Sequence, residues 1–135
     1  MQTNYRSRGE KGKILCGVMA ELTVIAPLLP GKVETCRRFC QAMNGRRRSE
    51  YEASRAALRI LHESAWLLCT SGGNLAVVTI EAANLSMALQ ELASSDRPFD
   101  RWFRRHVLEI CGLDLTCLQA MQKRELIFDW STMES

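Results

Sequence analysis

At 135 residues and 47% apolar content the chain fits one compact domain, with enough core to stand without disulfides or a structural metal. The formal charge is +3, but residues 1 to 18 hold Arg6, Arg8, Lys11 and Lys13 against Glu10 alone. Of 18 basic and 15 acidic residues, fourteen of each therefore remain from Met19 onward. A neutral body argues against a nucleic-acid binder, whose affinity comes largely from neutralising phosphates.

Residues 1 to 18 are polar, glycine-bearing and basic, and read as a disordered leader ahead of a single domain over 19 to 135. The stretch "ILCGVMA" is closed by Glu21 and lacks a small-residue cleavage site, so it does not read as a signal peptide. No run of about 18 apolar residues exists to span a membrane. A cytoplasmic protein without membrane association is expected. The cysteines at 16, 36, 40, 69, 111 and 117 then read as free, buried thiols. Cys36 and Cys40 lie one helical turn apart, but no third ligand completes a metal set, and no metal or other cofactor is expected.

Glu21 to Ala26, "ELTVIA", alternates and predicts a first strand, ended by Pro27 and Pro30. A helix follows from about Gly31, with Val33, Cys36, Cys40 and Met43 on one stripe and Asn44-Gly45 as its stop. Ser49 with Glu52 three residues on is a capping box, which predicts a second helix starting there and running to about Arg59. "LHESAWLLCT" (61 to 70), a turn over Ser71 to Asn74, and "LAVVTIEA" (75 to 82) predict an antiparallel hairpin. Asn84 caps a third helix bearing Leu85, Ala88, Leu89 and Leu92, which breaks at Ser94 to Arg97.

Pro98 suits the first turn of a fourth helix, and Phe99, Trp102, Phe103, His106, Val107, Ile110 and Cys111 recur on one apolar stripe up to Gly112. Its arginines fall on the other side, where Asp100 with Arg104 and Arg105 with Glu109 are i, i+4 pairs. A short helix "LTCLQAM" and a fourth strand "ELIFDW" (125 to 130) close the chain. The order is that of an α+β, ferredoxin-like βαββαβ plait with an antiparallel sheet, each crossover being a pair of helices.

Four strands with helices on one side leave the other face of the sheet bare, and these strands are too apolar for that face to sit in water. A partner sheet is the economical cover. "LPGK" (29 to 32), "SEYEASR" (49 to 55) and "PFDRWF" (98 to 103) carry a resemblance over about residues 20 to 115. The chain resembles the dimeric α/β-barrel superfamily, and within it a bacterial family of uncharacterised proteins. The resemblance implies a homodimer joined through the sheet face and is nearly silent on activity, since the superfamily includes cofactor-free monooxygenases, haem-degrading enzymes, isomerase-like members and proteins without known activity. That family has Gly-Asp at the hairpin turn where this chain has Gly73-Asn74, so a role of that acid does not transfer.

Alternation places His62, Ser64, Trp66 and Leu68 on one face of the sheet, with Thr79 and Glu81 on strand three and Thr23 on strand one as candidates to join them around a small ligand. His106, on the buried stripe beside Trp102, is the leading candidate for a general base, with His62 as the second. A histidine bonded to a backbone carbonyl is the competing reading. Tyr51 and Arg55, one turn apart, offer donors to a carboxylate or enolate, unless Arg55 pairs with Glu52 or Glu63. Lys32 stands at a helix start where an anion could bind, and Arg46 to Arg48 read as a solvated loop. The leading expectation is a homodimeric protein that binds a small organic molecule between sheet and helices, of cofactor-independent monooxygenase or isomerase type. The alternative is a non-catalytic homodimeric interaction or regulatory protein.

Overall fold

The computed structural model describes residues 20–120 and 125–132, and the leader expected over residues 1 to 18 lies outside them. Three strands, β1 (Ala20–Pro27), β2 (Ile60–Thr70) and β3 (Gly73–Ala82), form one antiparallel sheet in the order β1-β3-β2. Between β1 and β2 come α1 (Val33–Asn44) and α2 (Arg48–Leu58), and after β3 come α3 (Leu85–Ser94) and α4 (Pro98–Cys111). This is an α+β fold with the helices on one side of the sheet.

The local signals explain most boundaries. Asn84 caps α3 with its side-chain oxygen, which accepts from the Met87 N–H at 3.1 Å. Gly112 takes up the left-handed φ of +69° that closes α4. The capping box at Ser49 is not used: α2 begins at Arg48, so Ser49 lies inside the helix, and Glu52 instead accepts from Arg48 Nε at 2.9 Å. The hairpin turn is tighter than expected, since Gly73 and Asn74 already belong to β3. Thr70 Oγ1 accepts from the Gly72 N–H and donates to the Gly73 carbonyl, closing the chain over Ser71 and Gly72.

The core gathers Phe39 and Ala42 of α1, Leu58 of α2, Ala82 of β3, Ala88 and Leu92 of α3, and Phe99, Trp102, Phe103 and Ile110 of α4. Its centre is aromatic. The Phe39 ring lies 5.1 Å from Trp102 and 5.5 Å from Phe103, tilted geometries that favour ring edges against faces.

Two expectations for the C-terminal third are corrected. Leu115–Ala120 is a 3-10 stretch with a kink at Cys117 rather than a regular helix, Met121 lying outside the described residues. Glu125 to Trp130 is not a strand: it runs irregularly, with Leu126, Ile127, Phe128 and Trp130 all exposed. Alternation makes a segment fit to pair, but a ladder also requires a neighbouring strand, and among the described residues none lies beside it.

Candidate functional site

The sheet register sorts the side chains into two faces. Val24, Ala26, Ala76, Val78, Ile80, Glu63 and Ala65 face the helices, and together with Phe39, Cys36, Cys40, Phe103, Val107 and Cys111 they line a cavity of about 140 Å³. Among its lining residues only Ala65, on the edge strand β2, is exposed. Its wall is apolar except at Arg55 and Glu63.

These two form a buried ion pair with side chains 7% and 12% accessible. Arg55 Nε donates to Glu63 Oε1 at 2.8 Å and Nη2 to Oε2 at 3.3 Å, while the Tyr51 hydroxyl donates to Oε1 at 2.6 Å. The guanidinium lies over the rings of Phe103 and Tyr51, 4.4 and 4.8 Å from their centroids. Burial, and then the Glu63 charge, push the Tyr51 hydroxyl above its ordinary pKa and keep it a donor. Desolvation alone would lower Arg55, but the charge and hydrogen bonds of Glu63 together with Tyr51 prevail and raise the guanidinium further.

The network continues away from the cavity. Arg55 Nη1 donates to Ser54 Oγ at 3.0 Å, and Ser54 donates to Asp100 Oδ1 at 2.6 Å. Asp100, fully buried, also accepts at Oδ2 from Ser95 Oγ at 2.6 Å and from Arg97 Nη1 at 2.7 Å. Burial alone would raise Asp100, but these three donors prevail and hold its carboxyl below the usual carboxylate range. The expected pair Asp100 to Arg104 is absent because both carboxylate oxygens are already engaged, and Arg104 donates instead to the Leu92 carbonyl. Glu109 is paired with Lys32 at 3.2 Å rather than with Arg105.

Three thiols share the cavity wall. A hydrogen bond from Cys40, helped by Arg37, outweighs desolvation and lowers Cys36 to about 7, while that same bond and burial raise Cys40. Burial pushes Cys111 up to about 11. All five described cysteines are free, and no cluster of three metal-ligating side chains occurs among the described residues.

Of the residues singled out from sequence, Arg55 lines the cavity and Tyr51 stands behind it, hydrogen-bonded to Glu63. His106 does not reach it. Its Nδ1 lies 2.9 Å from the Trp102 carbonyl, which can only accept, so Nδ1 carries the proton, and the ring stacks on Phe39 at 5.3 Å. Trp102 is itself core, with the Arg47 guanidinium 4.3 Å above its ring.

His62, Ser64, Trp66 and Glu81 do come together with Thr23 and Thr79, but on the face of the sheet turned away from the helices. Opposite one another stand Glu21, Glu81 and His62 in one row, then Thr23, Thr79 and Ser64, then Ile25, Val77 and Trp66. Ser64 and Thr79 share a hydrogen bond of 2.7 Å, and Trp66 is 69% exposed. Sequence reasoning missed Ser54 and gave Asp100 the wrong partner, although both lie inside the motifs that carried the family resemblance. It also left open the choice between Glu52 and Glu63, which the fold settles for Glu63.

No family model, curated protein or solved structure matches this chain.

Proposed function

We propose that the chain is a homodimeric, ferredoxin-like α/β-barrel protein whose cavity between sheet and helices takes up a small, mostly apolar organic molecule. The observation that carries the reading is the apolar cavity with one buried polar wall. A cavity near 150 Å³ holds roughly one benzene-sized ring, which sets the scale of the ligand. Three of the five N–H donors of Arg55 are engaged with Glu63 and Ser54, and the remaining two can meet a carbonyl or carboxylate on such a molecule.

Binding is favoured over monooxygenase or isomerase chemistry by the state of the candidate bases. Glu63 already accepts from three donors, and His106 and His62 both lie off the cavity wall. The order β1-β3-β2 agrees with three strands of a plait, and the apolar residues Val77, Trp66, Leu75 and Leu68 on the face turned away from the helices support a second copy as its cover. Lys32, Arg37, Arg47, Arg48 and Arg97 are each paired with a carboxylate, which speaks against a polyanion as partner.

A thermal-shift screen of monocyclic and short-chain carbonyl and carboxylate compounds tests the ligand. At about 100-fold excess over Kd a true ligand stabilises by about 2.7 kcal/mol. Ala76→Leu, which fills the cavity from β3, should abolish that shift while the protein stays folded. Shifts that persist unchanged in Ala76→Leu would place binding elsewhere, and a screen with no hits together with a filled interior would favour the non-catalytic interaction protein.

A further inference from the structure

The least expected feature of the fold is the stretch Glu125 to Trp130. It alternates like a strand, yet Leu126, Ile127, Phe128 and Trp130 are 78, 85, 80 and 72% exposed. Among the described residues none from Glu125 to Thr132 makes a hydrogen bond. Four large apolar side chains in water, with unpaired backbone around them, form the donor half of a β-pairing.

The acceptor half is present in the same chain. β2 is an edge of the described sheet, with Trp66 and Leu68 exposed at 69 and 48% on the bare face. Its one acidic residue, Glu63, is turned to the helix side and bound to Arg55, so the edge holds no like charge to repel Glu125 and Asp129. At about 3.4 Å per residue, β2 spans about 37 Å and the arm about 20 Å, so the edge can accept the whole arm.

We propose that residues 125–130 form an arm that one copy lends to another, adding a strand along the β2 edge and laying Leu126, Phe128 and Trp130 over Trp66 and Leu68. A second copy is the occupant because donor and acceptor stand on one chain and neither is satisfied among the described residues. A two-fold exchange satisfies both at once, and exchange of an identical element is an inexpensive route to a dimer. The proposal rests on the homodimer reading above and specifies which segments join the copies.

The test uses the full chain with Phe128→p-benzoylphenylalanine, mixed in equal parts as unlabelled and ¹⁵N-labelled protein and irradiated. The expected product is a covalent dimer of mixed isotope content whose cross-link maps to Ile60–Thr70 of the other copy. A cross-link within one chain, a link elsewhere on the second copy, or no covalent product overturns the arm. In parallel, the full-length variant L126D/F128D should keep its circular dichroism and raise the dimer dissociation constant in sedimentation by at least about tenfold. A smaller rise overturns the arm but leaves pairing through the sheet face standing, whereas a wild-type chain that sediments as a monomer removes both.

Discussion

Removing Arg55 should be among the most damaging single substitutions in this protein. Its side chain and that of Glu63 are 7% and 12% accessible, so water can do little to screen either charge once its partner is gone. Breaking one side of such a buried pair costs about 3–5 kcal/mol, chiefly because the other charge is stranded. Arg55→Ala also removes the contacts to the Phe103 and Tyr51 rings and the donor to Ser54. Against a total stability of about 5–15 kcal/mol this is a large fraction, and urea unfolding followed by tryptophan fluorescence would read it directly. The control removes the stranded carboxylate and hydroxyl along with the guanidinium, Ser54 keeping its bond to Asp100: Arg55→Met, Glu63→Leu and Tyr51→Phe in one chain should come within about 1–2 kcal/mol of the wild type, since an apolar filling avoids the desolvation of the pair. If Arg55→Ala costs less than about 1 kcal/mol, the pair is solvated and the cavity wall is not as described. If the triple variant is as unstable as the single one, stranded charge is not the cause.

The depressed carboxyl of Asp100 binds fewer protons in the fold than in the unfolded chain near pH 4, so its contribution is complete above that range and lost as pH falls through the folded value. Asp100→Asn should therefore destabilise at neutral pH, by about 1–3 kcal/mol, and flatten the acid limb of a stability profile taken from pH 7 to 2; an unchanged acid limb would contradict the assignment. Cys36, lowered to about 7, should be alkylated by iodoacetamide well before Cys111 at neutral pH, and Cys40→Ala should shift its rate profile upward, as peptide mass spectrometry would show. Equal rates for the two thiols would refute that ordering. Asn84→Ala removes the cap on α3 and should cost about 1 kcal/mol, whereas Ser49→Ala should cost less because Ser49 caps nothing.

What the sequence made legible was whatever one segment decides alone. The apolar period of "PFDRWFRRHVLEIC", its proline and the following glycine bound α4 without outside help, and Asn84 does the same for the start of α3. Strand alternation put His62, Ser64, Thr79 and Glu81 on one face. What it could not decide was which face the helices cover, because both faces carry apolar residues: Val24, Val78 and Ile80 on one, Ile25, Val77 and Trp66 on the other. The choice is made by packing against Phe39, Phe103 and Ile110, residues distant in sequence. The same blindness explains the expected fourth strand, since "ELIFDW" has the period of a strand but a ladder also needs a neighbour, and none lies beside it among the described residues.

The motif residues that first looked like a catalytic or binding constellation are bound mainly to one another. Ser54 and Arg55 from "SEYEASR" and Asp100 from "PFDRWF" are joined side chain to side chain, and Glu63 ties them to the sheet. An aspartate on the flank of a buried helix stripe is costly unless satisfied, and three donors from two other segments satisfy it. The consequence for function is indirect. By fixing α2 against α4 and β2, the network holds the apolar cavity open with one guanidinium edge in its wall, so the motifs define the site by its frame while Val24, Val78, Phe39 and the thiols set its shape. A variant in the frame should lose fold and the proposed ligand binding together, whereas Ala76→Leu should lose the proposed binding alone, and that difference separates a positioning network from a set of contacting residues.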